Sequence, residues 1–274
     1  AFSGRKYLPR DISNDEIAKY YNTKETKVFT KSNIMYNLNN AKSSIINKKE
    51  IIITEGFMDT IRLYSIGYCN VIALMGTAFT KNHLDKILKF KCKVVLNLDQ
   101  DNAGKTSTVS IGDELTKNGV DVSVIVFDDY KDSDEYIVKK GKEAFDISYN
   151  NRISFIDFKL NYLKNSKNMK DTTEISKYIN EAISSLNELN DDILRELKIK
   201  EISKEFDIDE SIIKSKLKVT QKKVIEEPKE IVSKRFNKYD ISEIRVLYLM
   251  LNNDDIITMF ENHLGGLIHD NMSY

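Results

Sequence analysis

The sequence predicts an α/β fold, a mainly parallel sheet flanked by helices, followed by a helical subdomain. Three observations carry this. Short β-branched apolar runs at 51–54, 71–74, 93–98 and 121–127 alternate with stretches of helical period. The cores of the first and third runs, Ile51 to Ile53 and Val94 to Leu96, are apolar without a break, as expected of strands buried on both faces of a parallel sheet. Beyond residue 150 the strand signals and most glycines vanish and helical runs follow one another.

Residues 1–30 carry little periodicity. Phe2-Ser3-Gly4-Arg5 reads as a strand and turn, and Ala18 to Thr26 as a polar loop with two tyrosines. A helix is expected over 31–47, with Ile34, Leu38, Ala41 and Ile45 at helical spacing. Ile51-Ile52-Ile53-Thr54 is a strand and Glu55-Gly56 its exit turn; a helix from Phe57 to Ile66 places Phe57, Ile61 and Tyr64 on one face and stops at Gly67. Val71 to Leu74 is the next strand, followed by a Met75-Gly76-Thr77 turn and a helix capped by Thr80 that runs to about Phe90. Strand 93–98, helix 102–118 ending at Asn118-Gly119, and strand 121–127 complete the alternation.

Further on, Glu201 to Lys218 reads as helix–turn–helix with Phe206 to Asp209 as the turn. Helix packing is preferred there over a DNA-reading role. Residues 219–238 are charged, contain Pro228 and read as a linker. Residues 240–262 resume a helix with Ile241, Ile244, Tyr248 and Leu251 on one face, before Gly265-Gly266.

Chemistry concentrates where strands end. In a parallel sheet the exposed residues after each strand share one edge, the usual ligand edge. Val94 to Leu98 runs into Asp99-Gln100-Asp101, two carboxylates one residue apart. Glu55 ends its own strand at the same edge, and Asp59 lies one helical turn beyond it. Asp132 and Asp134 follow the fourth strand. Six carboxylates are thus expected to converge: Glu55, Asp59, Asp99, Asp101, Asp132 and Asp134. Unpaired carboxylates repel one another and raise one another's pKa, so such a cluster calls for cations, and hard oxygen donors suit Mg²⁺ or Mn²⁺. Simpler roles compete: Asp101 or Asn102 as the cap of helix 102–118, and Ser133 as the cap of the helix after it. Ala103-Gly104-Lys105-Thr106 resembles the end of a P-loop, but Asp99 stands where that motif needs its first Gly, and the P-loop is rejected.

Composition narrows the class. With 274 residues, 41% hydrophobic and 31% charged, the chain has the apolar mass of a globular protein. No apolar run approaches the roughly 20 residues of a membrane helix, so no membrane role is expected. Cys69 and Cys92 have no short-range partner and read as reduced thiols of a cytoplasmic protein; His83, His263 and His269 offer no zinc spacing. The net charge is zero but uneven. Residues 1–50 hold ten Lys/Arg against five Asp/Glu, and residues 99–146 hold twelve Asp/Glu against six Lys. A basic flank beside an acidic centre suits a polyanion bound near metal ions.

The ordered motifs Glu55-Gly56-Phe57-Met58-Asp59, Met75-Gly76-Thr77-Ala78-Phe79-Thr80, Asp99-Gln100-Asp101-Asn102-Ala103-Gly104 and Lys131-Asp132-Ser133-Asp134-Glu135-Tyr136 resemble the Toprim domain of bacterial DnaG-type primases. Phe2-Ser3-Gly4-Arg5, Lys19-Tyr20-Tyr21-Asn22-Thr23, Glu25-Thr26 and Phe29-Thr30-Lys31 resemble that family's upstream motifs. Gln100 stands where the family has Gly, Ser133 where it has Pro, and Ala18 and Lys24 also depart; none removes a carboxylate. The resemblance implies residues 1–49 as the end of the N-terminal polymerase subdomain, 50–150 as the Toprim catalytic domain, 151–218 as the helical subdomain, 219–238 as the linker and 239–274 as the start of a helicase-binding domain.

It further implies a monomeric primase of the bacterial replisome. The substrates would be ribonucleoside triphosphates, the template single-stranded DNA, the product an RNA primer, and the partner a DnaB-type replicative helicase met through the C-terminal region. Glu55, Asp99 and Asp101 would be the catalytic set, with Asp59, Asp132 and Asp134 completing the metal site; Arg5, Lys19, Asn22 and Lys31 would line the template or nucleotide groove. Because the chain opens on Ala1 with no initiator Met, a fragment is expected. Its family's zinc-bearing N-terminal domain, the start of the polymerase core and most of the helicase-binding domain would then lie outside it. Two rivals share the fold or the fragment. A Toprim nuclease or topoisomerase would need a further ATPase or tyrosine-bearing domain, for which no P-loop or room is seen. A DNA-binding or helicase-docking module would carry the carboxylates as a vestige.

Overall fold

In a computed structural model of the chain, residues 2–5, 20–26, 29–74, 79–127 and 129–217 are described, with isolated positions between 242 and 259. The chain forms two compact units, Ala1–Val219 and Thr220–Tyr274. In the first unit, β1 (Ser3–Arg5) pairs antiparallel with β2 (Tyr20–Asn22) as a small ribbon. The stretch expected to be a loop at 18–26 therefore holds a strand.

The main sheet has the order β4 (Val71–Ala73), β3 (Glu50–Thr54), β5 (Lys93–Asn97), β6 (Val122–Val124), β7 (Ile153–Ser154). The first four are parallel, and β7 closes the edge antiparallel to β6. Ile51, Ile53, Val94 and Leu96 point to one face, where they pack with α1 (Leu38–Lys48), α3 (Lys81–Leu88), α4 (Asn102–Lys117) and α6 (Phe155–Asn165). Ile52 and Val95 point to the other, covered by Leu63 of α2 (Phe57–Ser65) and by Ile137 and Phe145 of α5 (Ser133–Asn150). Both faces of β3 and β5 are buried, which is why those strands read as unbroken apolar runs. Helix α5 is two segments joined at Gly141, whose φ of 86° is open to a glycine at little cost.

Helices α6, α7 (Thr172–Asn187), α8 (Asp192–Phe206) and α9 (Glu210–Ser215) form a bundle with its own core, including Ile179, Leu186, Ile199, Ile202 and Ile213. Phe206 and Ile208, at the turn between α8 and α9, also pack into that core, in keeping with helix packing as the role of this turn. Bundle and sheet meet through α6. An added Cβ on Gly112 of α4 would lie 2.0 Å from the Phe155 ring, so α4 and α6 approach as closely as they do only because position 112 has no side chain. Gly112→Ala is expected to lower stability by about 1–3 kcal/mol through overpacking, read as a fall in melting temperature.

Several expectations are corrected. The helix expected over 31–47 begins only at Leu38; Lys31–Asn33 is a 3-10 turn, and Tyr36 exchanges backbone hydrogen bonds with Ala73, which holds the chain extended at the sheet edge. Ile34 is thereby left outside the helix. On α2, Ile61 and Tyr64 are exposed, and the buried face is Asp59, Thr60 and Leu63. Strand β6 ends at Val124, short of the expected 127, and β7 was not anticipated. The Met75-Gly76-Thr77 turn, the linker 219–238, Ile241, Ile244, Leu251 and Gly265-Gly266 lie outside the described residues, as do Lys19 and Asp128. In the second unit, Tyr248 is helical and exposed.

Candidate active site

The site is built on the carboxyl ends of β3 and β5, adjacent and parallel, with Thr54 paired to Asn97. One residue beyond Thr54, Glu55 begins the turn into α2, and two residues beyond Asn97 stands Asp99. The chain then turns into α4. Asp101 is the N-cap of that helix, its Oδ1 accepting the Gly104 N–H at 2.9 Å. The capping role and a place at the ligand edge are compatible, because a carboxylate has two oxygens; Oδ2 faces the Lys131 ammonium at 3.5 Å. Asp99 Oδ2 lies 3.6 Å from the same ammonium. The Gln100 N–H donates to the Lys131 carbonyl at 2.7 Å, which ties the 99–101 turn to the turn before α5.

Gly104 is a steric requirement that the motif's spacing does not reveal. An added Cβ there would stand 2.1 Å from the Asp99 carbonyl oxygen and 2.9 Å from the Asp99 Cβ. The first turn of α4 therefore rests directly on the Asp99 backbone.

Asp59 is nearly buried and joins α2 to α5. Its Oδ1 accepts from the Ser133 hydroxyl at 3.1 Å and the Asp134 N–H at 3.2 Å. Beside it, Arg62 Nε donates to Asp134 at 2.6 Å. Asp132, not Ser133, caps α5, accepting the Glu135 N–H at 2.8 Å. Asp134 thus spends one oxygen on an arginine, Asp132 one on a cap, and Asp59 one on two donors.

Among the described residues, no three of these carboxylates stand close enough about one point to hold a metal ion as their side chains lie. Asp99 and Asp101 pair with the Lys131 ammonium and Glu55 lies within reach of their charges, while Asp59, Ser133, Asp134 and Arg62 form the α2–α5 joint; Asp132 acts on both Asp99 and Asp59. Of the other named residues, Arg5 and Asn22 lie in the β1–β2 ribbon, their side chains outside the described set, and Lys31 opens the 3-10 turn with its N–H on Glu25 at 3.2 Å.

The electrostatics follow from burial and repulsion. Burial raises the Glu55 pKa, Asp99 and Asp101 raise it further, and Lys131 opposes them. Asp99 is raised chiefly by burial, opposed by Lys131 and reinforced by Asp132 and Asp101. Asp59 is pushed up to about 6, first by burial and then by Asp132. Asp101, exposed and capping, is lowered, first by the Gly104 N–H. The Lys131 ammonium is held more tightly protonated, first by Asp99. Half-buried Glu55 and Asp99 and exposed Asp101 repel one another and supply the hard oxygen donors a divalent cation takes, and the Lys131 ammonium stands as a positive charge between Asp99 and Asp101.

Sequence reasoning missed the roles of Lys131, Ser133, Arg62 and Gly104, and also Asn97. Asn97 is 3% exposed beside Thr54, and neither polar atom of its side chain has a partner among the described residues. An Asn ending an apolar strand was the one signal available.

Comparison with known proteins matches three family descriptions in order along the chain: the N-terminal domain of the DNA primase catalytic core over residues 1–42, a Toprim-like domain over 52–137, and the DnaB-helicase binding domain of primase over 156–211. The chain belongs to the DnaG-type primase family. The DNA primase of Clostridium acetobutylicum is 38% identical over 202 residues, covering 74% of this chain and 34% of that protein; the DNA primase of Listeria monocytogenes is 33% identical over 224 residues, covering 81% and 35%. The chain thus spans about a third of the length of these relatives. Among solved structures, the Aquifex aeolicus primase (zinc-binding and RNA polymerase domains) is 27% identical with a TM-score of 0.60, over 78% of this chain and 50% of that one. A DNA primase domain from Pseudomonas aeruginosa has the same fold, with a TM-score of 0.61 at 22% identity over 78% of this chain and 66% of that one. The helicase-binding match falls on helices α6 to α9, upstream of the 239–274 segment to which that role was first given.

Proposed function

We propose that this chain carries the nucleotidyl-transfer centre of a primase, joining ribonucleotides into short RNA primers on a single-stranded DNA template. The observation that carries the reading is the Glu55, Asp99, Asp101 group at the carboxyl edge of β3 and β5, in a chain whose family makes primers. Divalent metal use belongs to this kind of core; Mg²⁺ or Mn²⁺ is the proposed ion, held by Glu55, Asp99 and Asp101, with one free oxygen each on Asp59, Asp132 and Asp134 beside them. Such an ion supplies charge neutralisation for a triphosphate and its departing pyrophosphate.

The chain's own residues do the rest. Glu55 and Asp99, kept half-buried, hold their charge out of bulk water, where it acts more strongly. The Asp101 cap fixes the first turn of α4 and with it the distance between Asp99 and Asp101. The Asp59–Ser133 and Arg62–Asp134 contacts fix α5 against α2, so Asp132 and Lys131 keep their place beside Asp99. Positioning of this kind is a large part of the rate in phosphoryl transfer. Arg5, Lys19, Asn22 and Lys31 are proposed to hold the template or nucleotide phosphates, and that binding would weaken with salt. The proposed helicase contact is α6 to α9. The molecule is proposed to act as a monomer in the bacterial cytoplasm; no helix among the described residues is long and apolar enough to cross a membrane.

The test is synthesis of labelled RNA on single-stranded DNA with Mg²⁺ or Mn²⁺, comparing the chain with Asp99→Ala, alone and joined to the upstream part of a primase core. RNA from the parent and a loss of at least about 100-fold in the variant is the expected outcome. Equal yields from both would show that the carboxylates are not the centre, and silence from the completed core would leave only the docking reading.

A further inference from the structure

A cavity opens beside the first turn of α4. It has a volume of about 410 Å³ and lies between that turn, the ends of β6 and β7, and the outer half of α6. This is within the range of small-molecule sites. Its apolar lining is Val126, Ile153 and Phe158. Its walls carry Asn102 and Lys105 from α4, and Asn161, Tyr162 and Asn165 from α6. The two helices are held at this point by the Thr106 and Tyr162 hydroxyls, 3.1 Å apart.

Three features of the lining bear on its ligand. Asn161 and Asn165 are one helical turn apart, so they project on one side of α6. Each carboxamide offers a donor and an acceptor, the pair that matches the edge of a nucleobase, adenine best of all. Lys105 forms no ion pair among the described residues, although the chain around it is rich in acid. Among the described residues no carboxylate lines the cavity, whereas the hollow along α3 and α4 has both Asp85 and Glu114 in its wall.

We propose that this cavity binds one nucleotide unit. The base lies against Val126 and Phe158 with its edge on Asn161 and Asn165, and the phosphate meets Lys105. A flat ring over apolar and aromatic side chains gains stacking and burial, and carboxamides select its edge. The site is separate from the carboxylate group, and neither requires the other. Because its ligand touches Asn102 and Lys105, it rests on the turn that Asp101 caps. A nucleotide in this place is either a free mononucleotide or one unit of a strand, and binding distinguishes them.

The experiment is equilibrium binding of radiolabelled AMP and of a labelled adenine hexaribonucleotide to the intact chain in EDTA, so that no metal assists phosphate binding at the carboxylates. Asn165 is exposed on α6, so Asn165→Leu fills the cavity mouth without entering the core; its melting curve confirms the fold. Asn165→Leu is expected to weaken binding by at least about tenfold, Lys105→Ala to weaken it and flatten its salt dependence, and Glu55→Gln to leave it unchanged. AMP bound as tightly as the hexamer marks a free-nucleotide site; a hexamer bound well above AMP marks a strand site. Binding that ignores Asn165→Leu, binding lost in Glu55→Gln, or no retention of either probe at millimolar concentration overturns the proposal. Such a failure would leave primer synthesis and its Asp99 dependence untouched.

Discussion

Gly104→Ala is expected to cost the chain both stability and chemistry, although the substitution adds one methyl group and favours a helix. The new Cβ would stand 2.1 Å from the Asp99 carbonyl oxygen, 2.7 Å from its carbon and 2.9 Å from the Asp99 Cβ. The nearest obstacles are backbone, which cannot swing aside as a flexible side chain could. Either α4 lifts from the turn, breaking the Asp101 cap, or the Asp99 peptide is pushed away from Glu55. The helix-propensity gain of Gly to Ala, about 1 kcal/mol, is smaller than the roughly 1–3 kcal/mol or more of overpacking. A displacement near 1 Å in a positioning site costs about 100-fold in rate. Primer synthesis should therefore fall by at least that factor, with a lowered melting temperature. A variant of parental activity would show that α4 does not rest on Asp99 as described.

Asp59→Asn is expected to stabilise the metal-free chain at neutral and alkaline pH. The Asp59 carboxyl titrates at about 6 in the fold, above its ordinary 3.8. A carboxyl raised on folding contributes its stability below the unfolded pKa and loses it as pH climbs through the folded one, because the fold binds the proton more tightly. Ionised Asp59 is thus a cost above pH 6. At 1.36 kcal/mol per unit, the cost is about 3 kcal/mol at most. Asparagine keeps an oxygen for Ser133 and the Asp134 N–H and carries no charge to desolvate. In EDTA the variant should melt higher than the parent at pH 8, with the gain shrinking to nothing as pH falls toward 4. A gain independent of pH, or a loss at pH 8, would contradict the buried-charge reading.

Much of the sheet was legible because buried parallel strands leave a plain trace: Ile51 to Ile53 and Val94 to Leu96 are apolar on both faces, and the acidic turns after them mark the edge. The helical bundle was legible from its successive helical runs and the loss of glycine and strand signals. What was not legible depended on contacts between distant residues. Periodicity assigned α2 the face of Phe57, Ile61 and Tyr64. The buried face instead carries Asp59 and Thr60, whose polar groups find Ser133 and the Thr54 hydroxyl, the latter at 2.7 Å. A hydrophobic count cannot see a polar group that is satisfied inside. The two-residue strand β7 and the late start of the helix expected over 31–47 are set by pairing partners far along the chain, Val124 and Ala73. The carboxylates themselves were legible as residues, but the Lys131 ammonium between Asp99 and Asp101 and the joint that Asp59 and Asp134 make between α2 and α5 were not. Asp134 pairs with an arginine 72 positions away.

The most direct test of the carboxylate centre is a Mn²⁺ titration of the chain followed by electron paramagnetic resonance, beside a Glu55→Gln/Asp99→Asn variant whose fold is checked by melting. The parent should take up Mn²⁺, Mg²⁺ should displace it, and the variant should bind at least about tenfold more weakly. Equal Mn²⁺ binding by parent and variant would contradict a metal centre at these carboxylates.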